Sequence, residues 1–227
     1  KFYLSSMIGL LCALIYQVKG LGTDATHIFT KSVVMDHFSG FAKIVMILST
    51  AGAIYLSKVS KDLYEGTKAE FGILAMGILV GGMLLASANN MLIFFIGIET
   101  LSILSYAMAA LKKNDERSTE AGLKYVLYGG ATSGMMLFGM SHIFGTLGTI
   151  NFSEMIPMMS ALTEDQTLIL IPSFLLFFVG IGYKIACVPF HMWSPDVYEG
   201  SPLPVTAFFS LVPKFAGIAA FTRLTQI

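Results

Sequence analysis

About seven blocks of mostly apolar residues, each long enough to cross a bilayer, constrain this chain more than any other feature. A bilayer core requires about 20 apolar residues per helix and holds no water to satisfy exposed backbone groups. The alternation typical of outer-membrane β-strands is absent, so each block is predicted to be a transmembrane helix. The predicted spans are 2–18, 36–57, 70–87, 89–111, 121–148, 167–190 and 204–226.

The composition agrees with a lipid environment. Hydrophobic residues make up 55% of the chain and charged residues 12%, whereas soluble domains are about one quarter charged. Fourteen basic residues balance fourteen acidic ones, so no nucleic-acid partner is expected. Cys12 and Cys187 lack metal-binding spacing, so we expect neither a metal site nor a cofactor in this chain. The sequence predicts one all-α transmembrane domain, 1–227.

The loops between the predicted spans indicate an orientation. Basic residues are more numerous on one face than on the other, and the positive-inside rule places the richer face in the cytoplasm or matrix. The richer face holds Lys1, Lys58, Lys61, Lys68, Lys112, Lys113 and Arg117, and the other face holds Lys19, Lys31, Lys43 and Arg223.

Ionisable residues lie deep inside three spans. Glu99 and Lys214 are each about 15 Å from the ends of their predicted helices, and Lys184 is more than half way through its own. Insertion of such a residue costs about 2.5–3.5 kcal/mol. Several of them at depth favour a functional role, because the proton affinity of Glu99 and Lys184 would depend on whether they face each other. A proton relay requires that dependence.

Two structural alternatives stay open at this point. A buried Glu–Lys pair can serve only to hold helices in register. Lys124 lies closer to the membrane surface than the other candidates, where a long side chain can reach water. Glu120, four residues earlier, can also form a helical ion pair with Lys124, so either a structural or a relay role fits this lysine.

Two prolines predict interruptions beside the lysines. Pro189 follows Lys184 by five positions, and Pro213 directly precedes Lys214. Proline removes a backbone donor, and broken helices inside membranes commonly line cavities or bind ions. We therefore expect the helix that carries Lys184 to be discontinuous. His191 would lie close to the Lys184 face if the helix continued past Pro189, which makes it a further relay candidate.

The segment 188–202 reads V-P-F-H-M-W-S-P-D-V-Y-E-G-S-P and resembles the signature of the antiporter-like subunits of respiratory complex I. Its P-x-H-x-W-x-P-D core is shared with cation/proton antiporter complexes, and its D-V-Y-E-G-S-P continuation resembles the N-subunit branch, called subunit 2 in mitochondria. Glu99 in the stretch I-E-T-L-S, the pair Lys124-Tyr125, and Lys184 and Lys214 also agree with that pattern.

The resemblance implies a fold of inverted five-helix repeats, each with one discontinuous helix. About 70–226 would form the first repeat, and the second repeat is missing from this sequence. Since the chain begins with Lys1 and stops at Ile227, we expect either a fragment or a remainder carried by a separate chain.

The resemblance also implies roles for the residues. Glu99 would be the acidic member of an ion pair, Lys184 its partner on the broken helix, Lys214 the central lysine and Lys124 an auxiliary basic site. The chain would translocate protons within NADH:quinone oxidoreductase, in a bacterial plasma membrane or mitochondrial inner membrane. NADH, FMN, iron–sulfur clusters and quinone would be bound by partner subunits.

Two other functions remain as alternatives. The chain could belong to a multi-subunit sodium/proton antiporter, which the D-V-Y-E-G-S-P run disfavours. It could also be a non-catalytic membrane scaffold whose buried charges serve only assembly.

Overall fold

A computed structural model describes residues 2–22 and 24–225 of the chain. Lys1, counted above in the charge bias, and the last position of the span predicted at 204–226 lie outside the described residues. The helices are α1 (Phe2–Gly20), α2 (His37–Val59), α3 (Glu65–Ala86), α4 (Met91–Ala109), α5 (Glu116–Leu147), α6 (Phe152–Met159), α7 (Glu164–Ile185), α8 (Trp193–Gly200) and α9 (Leu203–Thr225). The predicted all-α class is confirmed, with the addition of a short antiparallel hairpin of β1 (Thr26–Ile28) and β2 (Val33–Met35).

Six of the described helices are long and apolar enough to cross a membrane, namely α1, α2, α3, α4, α7 and α9. Helix α5 has 32 residues but is rich in glycine, serine and threonine, and it still crosses the same thickness. Near its start, Ser118 donates a hydrogen bond to the carbonyl of Ala109 at the end of α4. Beyond its end, Asn151 pairs with Asn90 at the start of α4. Helix α5 therefore provides the seventh crossing.

Side-chain caps set several of the helix boundaries, because they satisfy backbone N–H groups that have no partner within the helix. Asp36 and Ser39 form a reciprocal capping box at the start of α2, and Thr163 and Gln166 form another at the start of α7. Asn90 accepts a hydrogen bond from the N–H of Ile93 and caps α4.

The predicted discontinuous helix is confirmed, but its first half ends earlier than expected. Helix α7 stops at Ile185, and Ala186 adopts a left-handed conformation with φ of 55°. The predicted continuation to 190 is wrong because Pro189 has no N–H to extend the helical ladder. The chain becomes helical again in α8, from Trp193. No interruption occurs at the second proline, since α9 runs unbroken through Pro213.

The connections at the two ends of the bundle differ. We call the end that holds the α2–α3 and α4–α5 connections the inner end and the opposite end the outer end. At the outer end, the backbone of Val34 in the hairpin bonds to Ser87 after α3, and Met91 bonds to Ile150 after α5. The hairpin and these two connections therefore form one linked layer beside the ends of the helices.

Candidate functional site

Glu99 lies within α4, about 15 Å from the helix end at Ala109. The carboxylate is half-buried and accepts a hydrogen bond from the hydroxyl of Ser133 on α5. The deep acidic residue predicted from the sequence is therefore directed toward the neighbouring helix rather than toward lipid.

Lys184 lies in the last turn of α7, directly before the break, and is only 1% exposed. Its ammonium donates a hydrogen bond of 3.0 Å to the hydroxyl of Ser102 on α4. That hydroxyl in turn donates to the carbonyl of Ile98 at 2.6 Å. A serine hydroxyl can accept and donate at the same time, so Ser102 joins the buried lysine to the backbone of α4.

Glu99 and Lys184 are neighbours without touching. Among the described residues they make no direct ion pair, although the charge of Glu99 acts on Lys184. Ser102 follows Glu99 by three positions and therefore occupies the adjacent position on the same face of α4. The structure brings the predicted pair to one site but places a hydroxyl, and not the carboxylate, in contact with the ammonium.

Aromatic side chains from three helices enclose Lys184. Its ammonium lies 5.7 Å from the centre of the Tyr125 ring on α5. Trp193, the first residue of α8, stacks on Tyr125 with ring centres 4.4 Å apart, and its indole N–H donates to the carbonyl of Tyr183. The Tyr183 hydroxyl donates to the carbonyl of Tyr125 at 2.9 Å. These contacts hold both sides of the helix break against α5.

Lys214 also faces protein. It is half-buried in α9, with its ammonium 5.1 Å from the centre of the Tyr198 ring on α8. One turn further along, α9 packs on the last turn of α7, because a Cβ at Gly217 would lie 2.7 Å from Ile185 and 3.5 Å from the Cβ of Lys184. Lys214 and Lys184 are thus placed on adjoining helix segments beside the break.

Lys124 occupies a separate position toward the inner end. Its ammonium lies 2.7 Å from Glu120 and 2.6 Å from Asp196 of α8. The helical ion pair predicted between Glu120 and Lys124 is therefore confirmed. These side chains line a cleft of about 220 Å³ together with Arg117 and Glu199.

His191 does not share a helix with Lys184. It lies between α7 and α8. The condition for a position on the Lys184 face, a helix that continues past Pro189, is not met because α7 ends at Ile185. Its Nδ1 is buried and has no hydrogen-bond partner among the described residues. A relay role for His191 stays a prediction from the sequence.

The sequence alone indicated no role for four residues of the site, namely Ser102, Ser133, Asp196 and Tyr198. Ser102 and Asp196 lie inside the stretches on which the family resemblance rests, so their positions could have been noticed. Ser133 carries no such signal, since nothing in the sequence of α5 distinguishes it from the other small polar residues of that helix. Tyr198 is recognisable as part of the signature segment but not as the residue that faces Lys214.

Comparison with known proteins was consistent across sequence and structure. A family model described as "NADH:quinone oxidoreductase/Mrp antiporter, TM" matches residues 88–227. A relative from Trichlorobacter lovleyi named NADH-quinone oxidoreductase subunit N is 38% identical over 229 residues, covering 100% of this chain and 47% of the relative. The chain spans less than half of the length of the curated relatives it matches.

Two solved structures have the same fold. A chain of respiratory complex I from Thermus thermophilus, determined with bound aureothin, matches with a TM-score of 0.83 and 27% identity, covering 98% of this chain and 47% of that chain. A chain of the Mrp complex from Dietzia sp. matches with a TM-score of 0.74 and 19% identity, covering 97% of this chain and 42% of that chain. At that identity the second likeness concerns the fold alone.

Proposed function

Because this chain belongs to the family of NADH:quinone oxidoreductase and Mrp antiporter membrane subunits, we propose that it forms part of a proton-translocating subunit of NADH:quinone oxidoreductase. Its likeness to relatives named subunit N supports this assignment. NADH, FMN, iron–sulfur clusters and quinone would be bound by partner subunits, and other membrane subunits of that complex would surround this chain. Its membrane would be the bacterial plasma membrane or the mitochondrial inner membrane.

The observation that carries the proposal is the buried ammonium of Lys184 beside the helix break, one turn of α4 away from Glu99. A nearby carboxylate stabilises the charged ammonium, whereas burial without it favours release of a proton. A small movement of α4 relative to the end of α7 would therefore change the protonation of Lys184. Redox chemistry in partner subunits would drive that movement.

Lys214 is proposed to receive the proton from Lys184, because the close contact of α9 with α7 at Gly217 places the two lysines on adjoining segments. Lys124, paired with Asp196 at the inner end, is proposed as an auxiliary basic site. His191 is retained as a relay candidate on sequence grounds.

Replacement of Lys184 by Met in the full-length subunit tests the proposal within its native complex. We expect an assembled complex whose quinone reduction and coupled proton uptake into vesicles fall by at least about tenfold. Lys19→Met, at an exposed position in the last turn of α1, is the matched control. If Lys184→Met failed to assemble while Lys19→Met assembled, the result would favour the scaffold function. Unchanged proton pumping in Lys184→Met would exclude Lys184 from the relay.

The description of the matching family model also names the Mrp antiporter, which supports sodium/proton antiport as a second candidate. Purification of the protein with its partners separates the two functions. Association with NADH- or quinone-binding subunits supports the oxidoreductase. A sodium-driven pH change in vesicles without NADH supports the antiporter.

A further inference from the structure

A groove of about 240 Å³ opens at the outer end of the bundle, where α1, α2, α3 and the β-hairpin meet. It is remote from the Lys184 site and takes no part in the proposed relay. Of the described residues that line it, Lys43 alone is charged, and the walls are mostly apolar. Its lining includes Phe29, Lys43, Val80 and Ser87.

Lys43 is a buried cation without a counter-ion of its own. It is 6% exposed, and its ammonium has no hydrogen-bond or ion-pair partner among the described residues. The charges that act on it are those of Asp36 and Arg223. Asp36 already accepts two hydrogen bonds from Arg223, at 3.0 Å and 2.8 Å. Asp36 acts on Lys43 more strongly than Arg223 does, but its carboxylate is already bonded to Arg223. The charge of Lys43 is therefore only partly compensated, an arrangement that is costly away from water.

A second polar group borders the same groove. The hydroxyl of Ser87, directly after α3, is buried and has no hydrogen-bond partner among the described residues. An ammonium and a hydroxyl are both hydrogen-bond donors. Together they suit an anionic acceptor with several oxygens.

The depth of Lys43 fits the level of lipid phosphate. It lies about 10 Å along α2 from the outer end of that helix. Side chains of a helix lean toward its N-terminus, which for α2 is the outer end, and a long lysine side chain can extend further toward the membrane surface. Its ammonium therefore lies close to the boundary between acyl chains and headgroups.

The opening of the groove is apolar and exposed. Val80 on α3 is 54% exposed, and Phe29 at the tip of the hairpin is 75% exposed. In a membrane Val80 meets acyl chains, whereas Phe29, in the layer beside the helix ends, lies near the level of the headgroups. We propose that the groove binds one anionic phospholipid, whose phosphate contacts Lys43 and Ser87 and whose acyl chain lies along Val80. Lys43 and Ser87 complement a negatively charged phosphate, and the apolar side chains at the opening of the groove suit an acyl chain. The combination favours a lipid over a free ion.

A photoactivatable phosphatidylglycerol with a diazirine in its acyl chain tests the proposal. The purified membrane protein that contains this chain is placed in phosphatidylcholine nanodiscs, and labelled peptides are mapped by mass spectrometry. We expect labelling of α1–α3 peptides that excess phosphatidylglycerol displaces and excess phosphatidylcholine does not. Lys43→Met is expected to lower this labelling about fivefold, whereas Lys43→Arg and the exposed-hairpin control Lys31→Met retain it.

Unchanged labelling of Lys43→Met, or equal displacement by phosphatidylcholine, would overturn the proposal. Displacement by inorganic phosphate would also overturn it, because the site would then bind a free ion. If Lys43→Met does not assemble, Val80→Trp narrows the groove while leaving the lysine in place. Loss of labelling in that variant supports the lipid site, and full labelling contradicts it.

Discussion

The ammonium of Lys184 and the hydroxyl of Ser102 form a hydrogen bond of 3.0 Å between the end of α7 and the middle of α4. The immediate partner of the buried cation is thus a neutral hydroxyl that accepts one hydrogen bond and donates another. Glu99, one turn away, acts on the lysine through its charge rather than through contact. This arrangement supports the proposal that a small displacement of either helix changes the protonation of Lys184.

Ser102→Ala is expected to impair proton transport without preventing assembly. The substitution leaves the buried ammonium without its acceptor, at a cost of about 1–3 kcal/mol. We expect coupled proton uptake to fall about tenfold, measured in vesicles. Ser57→Ala is the control, because Ser57 is equally buried but donates only to a carbonyl of its own helix. Equal rates for the two variants would show that the Ser102 contact is incidental.

Gly129 and Gly130 provide a matched pair for the packing around Tyr106. A Cβ at Gly129 would collide with the Tyr106 hydroxyl, whereas a Cβ at Gly130 would meet no atom within 4 Å. Tyr106 lies beside the hydroxyls of Ser102 and Tyr183. Gly129→Ala is expected to destabilise the protein by about 1–3 kcal/mol and to displace Tyr106.

Thermal unfolding and coupled activity of both alanine variants test this prediction. We expect Gly130→Ala to behave like the wild type in both measurements. A similar loss in the two variants would point to the helix backbone of α5 rather than to Tyr106.

Asp36 is expected to make stability depend on pH in the acid range. Burial alone would raise the pKa of this carboxyl, but hydrogen bonds from Arg223 and Ser39 outweigh it and lower the pKa below its ordinary value of 3.8. A lowered pKa contributes stability that is fully present above the ordinary value and is lost as the pH falls through the lowered one. Asp36→Asn keeps the helix cap but removes this contribution.

Thermal midpoints between about pH 7 and pH 3 measure the effect. The Asn variant is expected to lose about 2 kcal/mol at neutral pH and to show a weaker acid dependence. Asp24→Asn, at an exposed carboxylate before the hairpin, is the control. If the thermal midpoint of Asp36→Asn fell in acid as steeply as that of the wild type, Asp36 would not be the source of the pH dependence.

The ring of Tyr198, and not its hydroxyl, is expected to position Lys214. The hydroxyl is buried without a partner among the described residues, while the ring centre lies 5.1 Å from the ammonium. Tyr198→Phe should therefore keep coupled activity, and Tyr198→Leu should lower it about fivefold through loss of the cation–π contact. The opposite order of activities would assign the role to the hydroxyl.

Much of the architecture could be predicted because long apolar blocks in the sequence identify the helices that cross the membrane. The predicted crossings correspond to α1–α5, α7 and α9 in the structure, and the break after Lys184 was expected from Pro189. Pro213 shows the limit of that reasoning. A proline removes one hydrogen bond, but whether a helix ends there depends on its neighbours, and α9 stays continuous within the bundle.

The positions of Glu99, Lys124, Lys184 and Lys214 followed from the sequence because ionisable residues in apolar spans are conspicuous. Their contacts did not follow. Ser102 and Ser133, rather than an opposing charge, bond to Lys184 and Glu99, and Asp196 joins Lys124 from a helix far along the chain. The position considered for His191 depended on a continuous α7, and that condition is not met because α7 ends at Ile185.

By itself, the sequence determined that this protein resides in a bilayer and which charges it carries there, since burial of backbone and charge in lipid is decided by local composition. Only the tertiary structure decided which side chain meets which. The rotation of each helix and the end of α7 at Ile185 depend on packing between segments distant in the chain. Those packing choices bring the Ser102 hydroxyl, and not the Glu99 carboxylate, into contact with Lys184 and leave Lys43 beside a mostly apolar groove.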